Sequence, residues 1–74
     1  MEIRLTRHAG DQMRLEELER DDLAGIIERG ERVVRGETAD EYYGVVRGTL
    51  FRVIVVKGSV PPLVITVHNY VGES

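Results

Sequence analysis

The sequence predicts an α+β domain in which two helices pack on one face of a mostly antiparallel, twisted sheet. Two observations lead to this prediction. Apolar residues recur at helical spacing up to Gly30, whereas from Arg32 onward the chain is rich in Val, Ile, Tyr, Phe and Thr, with glycines between the runs. The predicted order is β-α-α-β-β-β with one further short strand. At 74 residues, the chain holds a single domain.

Composition excludes several classes of protein. The chain has no cysteine, which removes disulfides and thiolate metal sites, and its two histidines lack metal-ligand spacing, so we expect no metal and no other cofactor. The longest apolar run falls far short of the roughly 18 residues that cross a bilayer. The N-terminus lacks the apolar region of a signal peptide. We therefore expect a soluble cytoplasmic protein with no membrane partner.

Charge is distributed unevenly along the chain. The net charge is -3 and the sequence pI is about 5.3. Residues 1–41 carry twelve acids and seven arginines, whereas residues 42–74 carry three cations and one acid. An acidic pI argues against a general nucleic-acid binder, but it allows a basic patch on one surface.

The N-terminal half predicts a short strand followed by two helices. Glu2 to Thr6 alternates polar and apolar residues with Ile3 and Leu5 inward, which suits a strand. Thr6 is a good N-cap for a first helix. The apolar residues of this helix would be Ala9, Met13, Leu15 and Leu18. The second helix is predicted from Asp22 to Arg29, capped by Asp21 or Asp22, ended by Gly30, and carrying the apolar stripe Leu23, Ile26 and Ile27.

Strands are expected in the rest of the chain. A short strand begins at Val33 and ends at Gly36, and the polar run Glu37 to Glu41 is expected to be a loop. The three longer strands are predicted at Tyr42 to Arg47, Thr49 to Lys57 and Leu63 to Tyr70.

Strand alternation predicts which side chains share a face of the sheet. A two-residue loop at Gly48 and a five-residue loop that pairs Lys57 with Leu63 define the register. One face would then be almost wholly apolar and packed under the helices: Tyr42, Gly44, Val46, Phe51, Val53, Val55, Leu63, Ile65 and Val67. A shift of one residue in the second loop would mix the two faces.

The opposite face would be mixed and uncovered. It would place Tyr43, Arg52 and His68 side by side on three strands. Around this row would lie four apolar side chains, Leu50, Ile54, Val56 and Val64. An uncovered apolar patch with a polar rim is typical of a partner interface or a ligand groove, so we expect a homo-oligomer, most simply a dimer, or a bound partner.

The two histidines are the side chains best suited to proton transfer near neutral pH. His8 lies at the start of the first helix, where it could act as a general acid or base, contact a phosphate, or simply fill the corner between helix and sheet. The same alternatives hold for His68. The dense acids between Glu16 and Asp22 suit a solvated helix face and a cap better than a metal site.

Three short motifs carry a family resemblance. They are Thr6-Arg7-His8-Ala9, Gln12-Met13 and Val64-Ile65-Thr66-Val67. Together they resemble a prokaryotic family of small domains of unknown function with a Thr-x-His-Ala start, an Arg-Met pair on the first helix and a terminal Ile-Thr-Val strand. That family is grouped with the RelE-like and barnase-like ribonuclease toxins of toxin–antitoxin systems. The chain departs from it at Gln12, where the family has arginine, and in its acidic pI.

The resemblance implies two helices on an antiparallel sheet and cleavage of mRNA without a metal, with RNA or the ribosome and an antitoxin protein as partners. Arginine would stabilise the phosphorane, and Tyr, His or Glu would move protons. The implied catalytic residues are His8, Tyr43, Arg52 and His68. The implied RNA contacts are Arg7, Arg47 and Thr66. The alternative is a non-catalytic module that dimerises or binds a partner protein through the open sheet face.

Overall fold

The computed structural model describes residues 1–70. In chain order its elements are β1 (Arg4–Leu5), α1 (Arg7–Leu15), α2 (Arg20–Arg29), β2 (Arg32–Arg35), β3 (Ala39–Val46), β4 (Thr49–Val56) and β5 (Leu63–Asn69). The strands form one sheet in the order β1-β5-β4-β3-β2, in which β1 runs parallel to β5 and every other pair is antiparallel. The fold is therefore α+β, with two helices and a five-stranded mixed sheet. No helix within residues 1–70 is long and apolar enough to cross a membrane.

β1 is shorter than the predicted strand, but its inward residues are confirmed. Ile3 is buried and Leu5 packs against the core. Thr6 caps α1 as predicted, because its Oγ1 accepts the amide of Ala9 at 3.2 Å. Gln12 extends from α1 to the unpaired edge of β5, where its Oε1 accepts the amide of Val67 at 3.0 Å.

α1 ends earlier than its apolar pattern predicts. The amide of Leu18 donates to the carbonyl of Met13, and the amide of Glu17 donates to the carbonyl of Arg14. These are the two hydrogen bonds of a Schellman motif. Glu17 takes the left-handed conformation at φ 59° that this motif requires. Leu18 is consequently buried after the helix has ended, whereas Leu15, predicted for the apolar face, is 83% exposed.

α2 begins two residues before the predicted start. Its N-cap is Glu19, and the predicted cap Asp22 instead lies in the first turn, where its Oδ2 accepts the amide of Glu19 at 2.9 Å. The C-terminus is as predicted: Gly30 is left-handed and its amide donates to Ile26 at 3.1 Å. The predicted stripe is also confirmed, since Leu23, Ile26 and Ile27 are buried, and Ala24 is buried beside them.

The hairpin of β3 and β4 has the predicted register. Arg47 and Gly48, both at positive φ, form its two-residue turn. The predicted core residues Phe51, Val53 and Val55 are buried, and Gly44 on the neighbouring strand lies directly under Ile26 of α2. The core therefore lies between the helices and this face of the sheet, with Val67 of β5 closing it.

The hairpin of β4 and β5 departs from the predicted register at a bulge. Ile54 pairs with Thr66 as expected, but Val55 pairs with Val64, so that Ile65 is an extra residue on β5. The bulge moves Val64 to the core face, where it is fully buried. The prediction that Val64 faces the open side and that Leu63 and Ile65 fill the core was wrong, because one inserted residue reverses the alternation beyond it.

The predicted loop of residues 37–41 is also partly wrong, because β3 begins at Ala39. Asp40 is buried there and accepts hydrogen bonds from Lys57 Nζ at 3.0 Å, Arg35 Nη1 at 3.0 Å and the amide of Gly36 at 3.2 Å. These hydrogen bonds replace the ones that the carboxylate loses to water on burial. They allow Asp40, expected in a loop, to lie within β3.

Candidate active site on the open sheet face

The face of the sheet opposite the helices, here called the open face, follows from the pairing registers. Arg4 of β1 also lies on this face, because its neighbours Ile3 and Leu5 face the core and side chains alternate along a strand. The open face carries Arg4, Arg32, Val34, Glu41, Tyr43, Val45, Leu50, Arg52, Ile54, Val56, Leu63, Thr66, His68 and Tyr70.

A row of four polar and aromatic residues crosses the middle of this face. Tyr43 pairs with Arg52, which in turn pairs with His68, as predicted. The structure adds Arg32, which pairs with Tyr43 from the edge strand β2. Arg32 was missed because the sequence does not define the register of a four-residue strand. Its place next to Tyr43 would have followed from a correct register for β2.

An arginine side chain packs against the ring of each of the two tyrosines on the open face. The guanidinium carbon of Arg32 lies 4.8 Å from the ring centroid of Tyr43, and that of Arg52 lies 5.8 Å from the ring of Tyr70. The two rings meet edge to face, with centroids 5.3 Å apart. Although it lies on the open face, Tyr43 is therefore only 7% exposed.

Glu41 fixes the hydroxyl of Tyr43, which donates to Glu41 Oε1 at 2.8 Å. This hydrogen bond raises the pKa of Tyr43, burial adds to the rise, and Arg52 opposes it. Tyr43 is consequently a neutral donor near pH 7 and orients the carboxylate of Glu41. Glu41 was missed because the sequence placed it in a loop.

Arg52 has a buried polar atom without a protein partner. Its Nε is inaccessible and makes no hydrogen bond within residues 1–70. Buried polar groups in folded proteins are nearly always satisfied by protein, water or an ion. Arg52 itself is half-buried on the open face directly beside His68, and a guanidinium in this place is a suitable ligand for a phosphate oxygen.

Several predicted site residues lie elsewhere. His8 and Arg7 are exposed on α1, which packs against the core on the covered face, so the structure does not bring His8 to the row. Arg47 lies in the β3–β4 turn and donates to the carbonyl of Glu17 at 3.0 Å, away from the open face. Val64 is in the core. Thr66 is on the open face and half-buried, beside Ile54.

Charge is segregated between the two layers. Residues 6–31, which contain both helices, carry eight acids and four arginines. The open face carries three arginines, Arg4, Arg32 and Arg52, against the single carboxylate of Glu41. An acidic protein thus presents a locally basic sheet surface, of the kind that attracts a polyanion.

Residues 1–70 contain no group of three or more His, Asp and Glu side chains arranged to hold a metal ion, and no pocket. The chain matches no protein-family model, no curated protein and no solved structure. The open face therefore has to be interpreted from its own chemistry.

Proposed function

We propose that the protein is a metal-independent endoribonuclease related to the RelE-like and barnase-like toxins, and that RNA binds on the open face. One observation carries the proposal. Arg52 lies beside His68 in the middle of an uncovered surface that carries three arginines and one carboxylate. The two helices on a largely antiparallel sheet are compatible with the RelE-like grouping that the Thr-x-His-Ala motif suggests.

The proposed reaction is attack of a ribose 2′-hydroxyl on the adjacent phosphorus. The O2′–P bond forms as the P–O5′ bond breaks, which leaves a cyclic phosphate and a 5′-hydroxyl. Glu41 takes the 2′-proton, His68 in its protonated form supplies a proton to the leaving 5′-oxygen, and Arg52 stabilises the phosphorane charge. Tyr43 is a positioning residue that orients Glu41.

The spacing of these residues suits the two proton transfers. Glu41 and His68 lie two strands apart and are offset by two residues, with Arg52 on the strand between them. Strand spacing and rise separate their backbones by roughly 12 Å. Two side chains of this length would then approach a single phosphodiester from opposite sides.

Cleavage of labelled RNA by the purified protein tests the proposal, with and without ribosomes and in the presence of EDTA. Arg52→Ala and His68→Ala should each lower the cleavage rate by about 10²- to 10⁴-fold, because each removes charge stabilisation or proton transfer. Arg14→Ala and His8→Ala are matched controls on the helix layer and should cleave normally, as should Glu17→Ala. A wild type that neither cleaves RNA nor inhibits growth on expression would contradict the proposal.

The toxin assignment makes a separate prediction about gene context. A toxin of this type is expressed with an antitoxin, so the adjacent reading frame should encode a small antitoxin-like protein.

The second candidate is a homodimeric or partner-binding module that uses the same face without catalysis. The observation that favours it is the apolar flank of the row. Val45 is 53% exposed, and Leu50, Ile54 and Val56 are half-buried with no element of residues 1–70 above them.

A further inference from the structure

We propose that this face takes RNA as an unpaired strand, one base of which stacks on the ring of Tyr43 after the guanidinium of Arg32 has moved from that ring to a neighbouring phosphate. The inference rests on the proposed nuclease function, since it names the form of RNA that the same surface binds.

The aromatic pair of the open face offers base stacking, which only unpaired RNA can use. Bases inside an A-form duplex are covered by their neighbours, and the duplex presents phosphates and 2′-hydroxyls instead. Unpaired bases stack on aromatic side chains of sheet surfaces in several RNA-binding folds. Tyr43 is well prepared as such a platform, because its ring makes an edge-to-face contact with Tyr70 and its hydroxyl donates to Glu41.

Arg32 is the side chain that now occupies the ring face of Tyr43. It is exposed, it belongs to the edge strand β2, and it makes no ion pair with a carboxylate within the described part of the chain. Its displacement therefore breaks one exposed cation–π contact. A stacked base replaces this contact with a stronger one. The freed guanidinium then lies within reach of the phosphate that follows the base.

The segregation of charge between the two layers directs an RNA strand to the open face. The helix layer has twice as many acids as arginines, so it repels a polyanion. The arginines at the two edges and the centre of the open face attract its phosphates. These residues are Arg4, Arg32 and Arg52.

Binding can be measured without cleavage by using a labelled 2′-O-methyl RNA octamer, which lacks the attacking hydroxyl. The wild type should bind the single strand at least tenfold more tightly than a duplex of the same sequence in fluorescence anisotropy. Tyr43→Leu should lose at least tenfold in affinity for the single strand. Tyr43→Phe, which keeps the ring but loses the hydrogen bond to Glu41, should lose less affinity than Tyr43→Leu, and His8→Ala on the helix layer is the control that should bind normally.

Arg32→Ala provides a test that does not depend on the core. This substitution on an exposed edge strand should reduce the slope of log Kd against log salt by about 0.7, the value for one lost phosphate contact on a single strand. An unchanged slope, equal affinity for duplex and single strand, or wild-type binding by a folded Tyr43→Leu variant would each overturn the inference.

The two proposals fail in different ways. If the octamer binds with the expected dependence on Tyr43 but unmodified RNA is not cleaved, the stacking site stands and the nuclease does not. If RNA is cleaved and Tyr43→Leu binds like the wild type, the nuclease stands and the stacking site does not.

Discussion

At the scale of single residues, Asp40 shows how the fold compensates a buried charge. Donation by Lys57 is the main cause of the lowered pKa of this carboxyl, Gly36 and Arg35 add to it, and burial opposes it. A carboxyl whose pKa is lowered on folding stabilises the protein at pH values above its unfolded pKa of about 3.9, and this contribution is lost as the pH falls through the folded value.

Asp40→Asn should therefore be less stable than the wild type at pH 7, and the difference should shrink as the pH falls below about 4. Urea unfolding at a series of pH values measures this. Glu37→Gln, at an exposed position in the neighbouring turn, is the control and should show little difference at any pH. A constant difference between Asp40→Asn and wild type from pH 7 to pH 3 would refute this role for the carboxylate.

Glu17 occupies a left-handed position that usually belongs to glycine. A side chain in this conformation is strained, and a glutamate at a helix C-terminus also opposes the helix dipole. Glu17→Gly should consequently be about 1 kcal/mol more stable than Glu17→Ala, which keeps the strain. Thermal unfolding of the two variants side by side makes the comparison, and equal stability would show that the Schellman geometry is not under strain.

At the scale of elements, the contact between α2 and β3 depends on the absence of a side chain at Gly44. A Cβ at this position would lie 2.9 Å from Cγ1 and 3.2 Å from Cγ2 of Ile26, which is itself fully buried. Gly44→Ala should thus destabilise the fold by about 1–3 kcal/mol through overpacking.

The control for Gly44 is the glycine inside α1. A Cβ at Gly10 would meet only Arg14 Nη1 at 3.9 Å, an ordinary contact. Gly10→Ala should stabilise the protein by about 0.5–1 kcal/mol, since alanine favours helix. Denaturant midpoints of both variants distinguish the two effects, and a Gly44→Ala variant as stable as wild type would mean that α2 can move away from the sheet.

The bulge between β4 and β5 explains which part of the element prediction failed. From Thr66 to His68 the prediction gives the right partners, because the predicted pairing of Lys57 with Leu63 has the same offset as the observed pairs of this segment. Beyond Ile54 the same rule places Val64 on the wrong face. A bulge places two residues of one strand opposite one residue of its partner. The residue types of β5 do not mark where this happens, so the sequence pattern does not reveal it.

At the scale of the whole molecule, both candidate functions use the open face, and they exclude each other there. A dimer that buries the apolar flank would cover Arg52 and His68, so RNA and self-association should compete for this surface. The segregated charge, acidic on the helix layer and basic on the open face, favours RNA.

Ile54→Asp tests the dimer directly. If the second candidate is right, the wild type should sediment as a dimer, and this charge in the middle of the open face should produce a monomer with little change in melting temperature. Leu15→Asp is the control, because Leu15 is 83% exposed on the helix layer and should not affect assembly. A wild type that stays monomeric at high concentration would exclude the dimer, and an Ile54→Asp variant that unfolds would show that Ile54 belongs to the core.

The sequence by itself determined the α+β class, the apolar stripe of α2 with its end at Gly30, and the alternation that sets Tyr43 beside Arg52. These features depend on residues close in the chain, where helical period, glycine and strand parity act directly.

Only the tertiary structure decided the composition of the site. It added Arg32 and Glu41 to the open face, and it placed Arg47 in a turn and Val64 in the core. These placements depend on the register between strands and on packing across the sheet. Such contacts join residues distant in the chain, and a single inserted residue reverses the face of every side chain that follows.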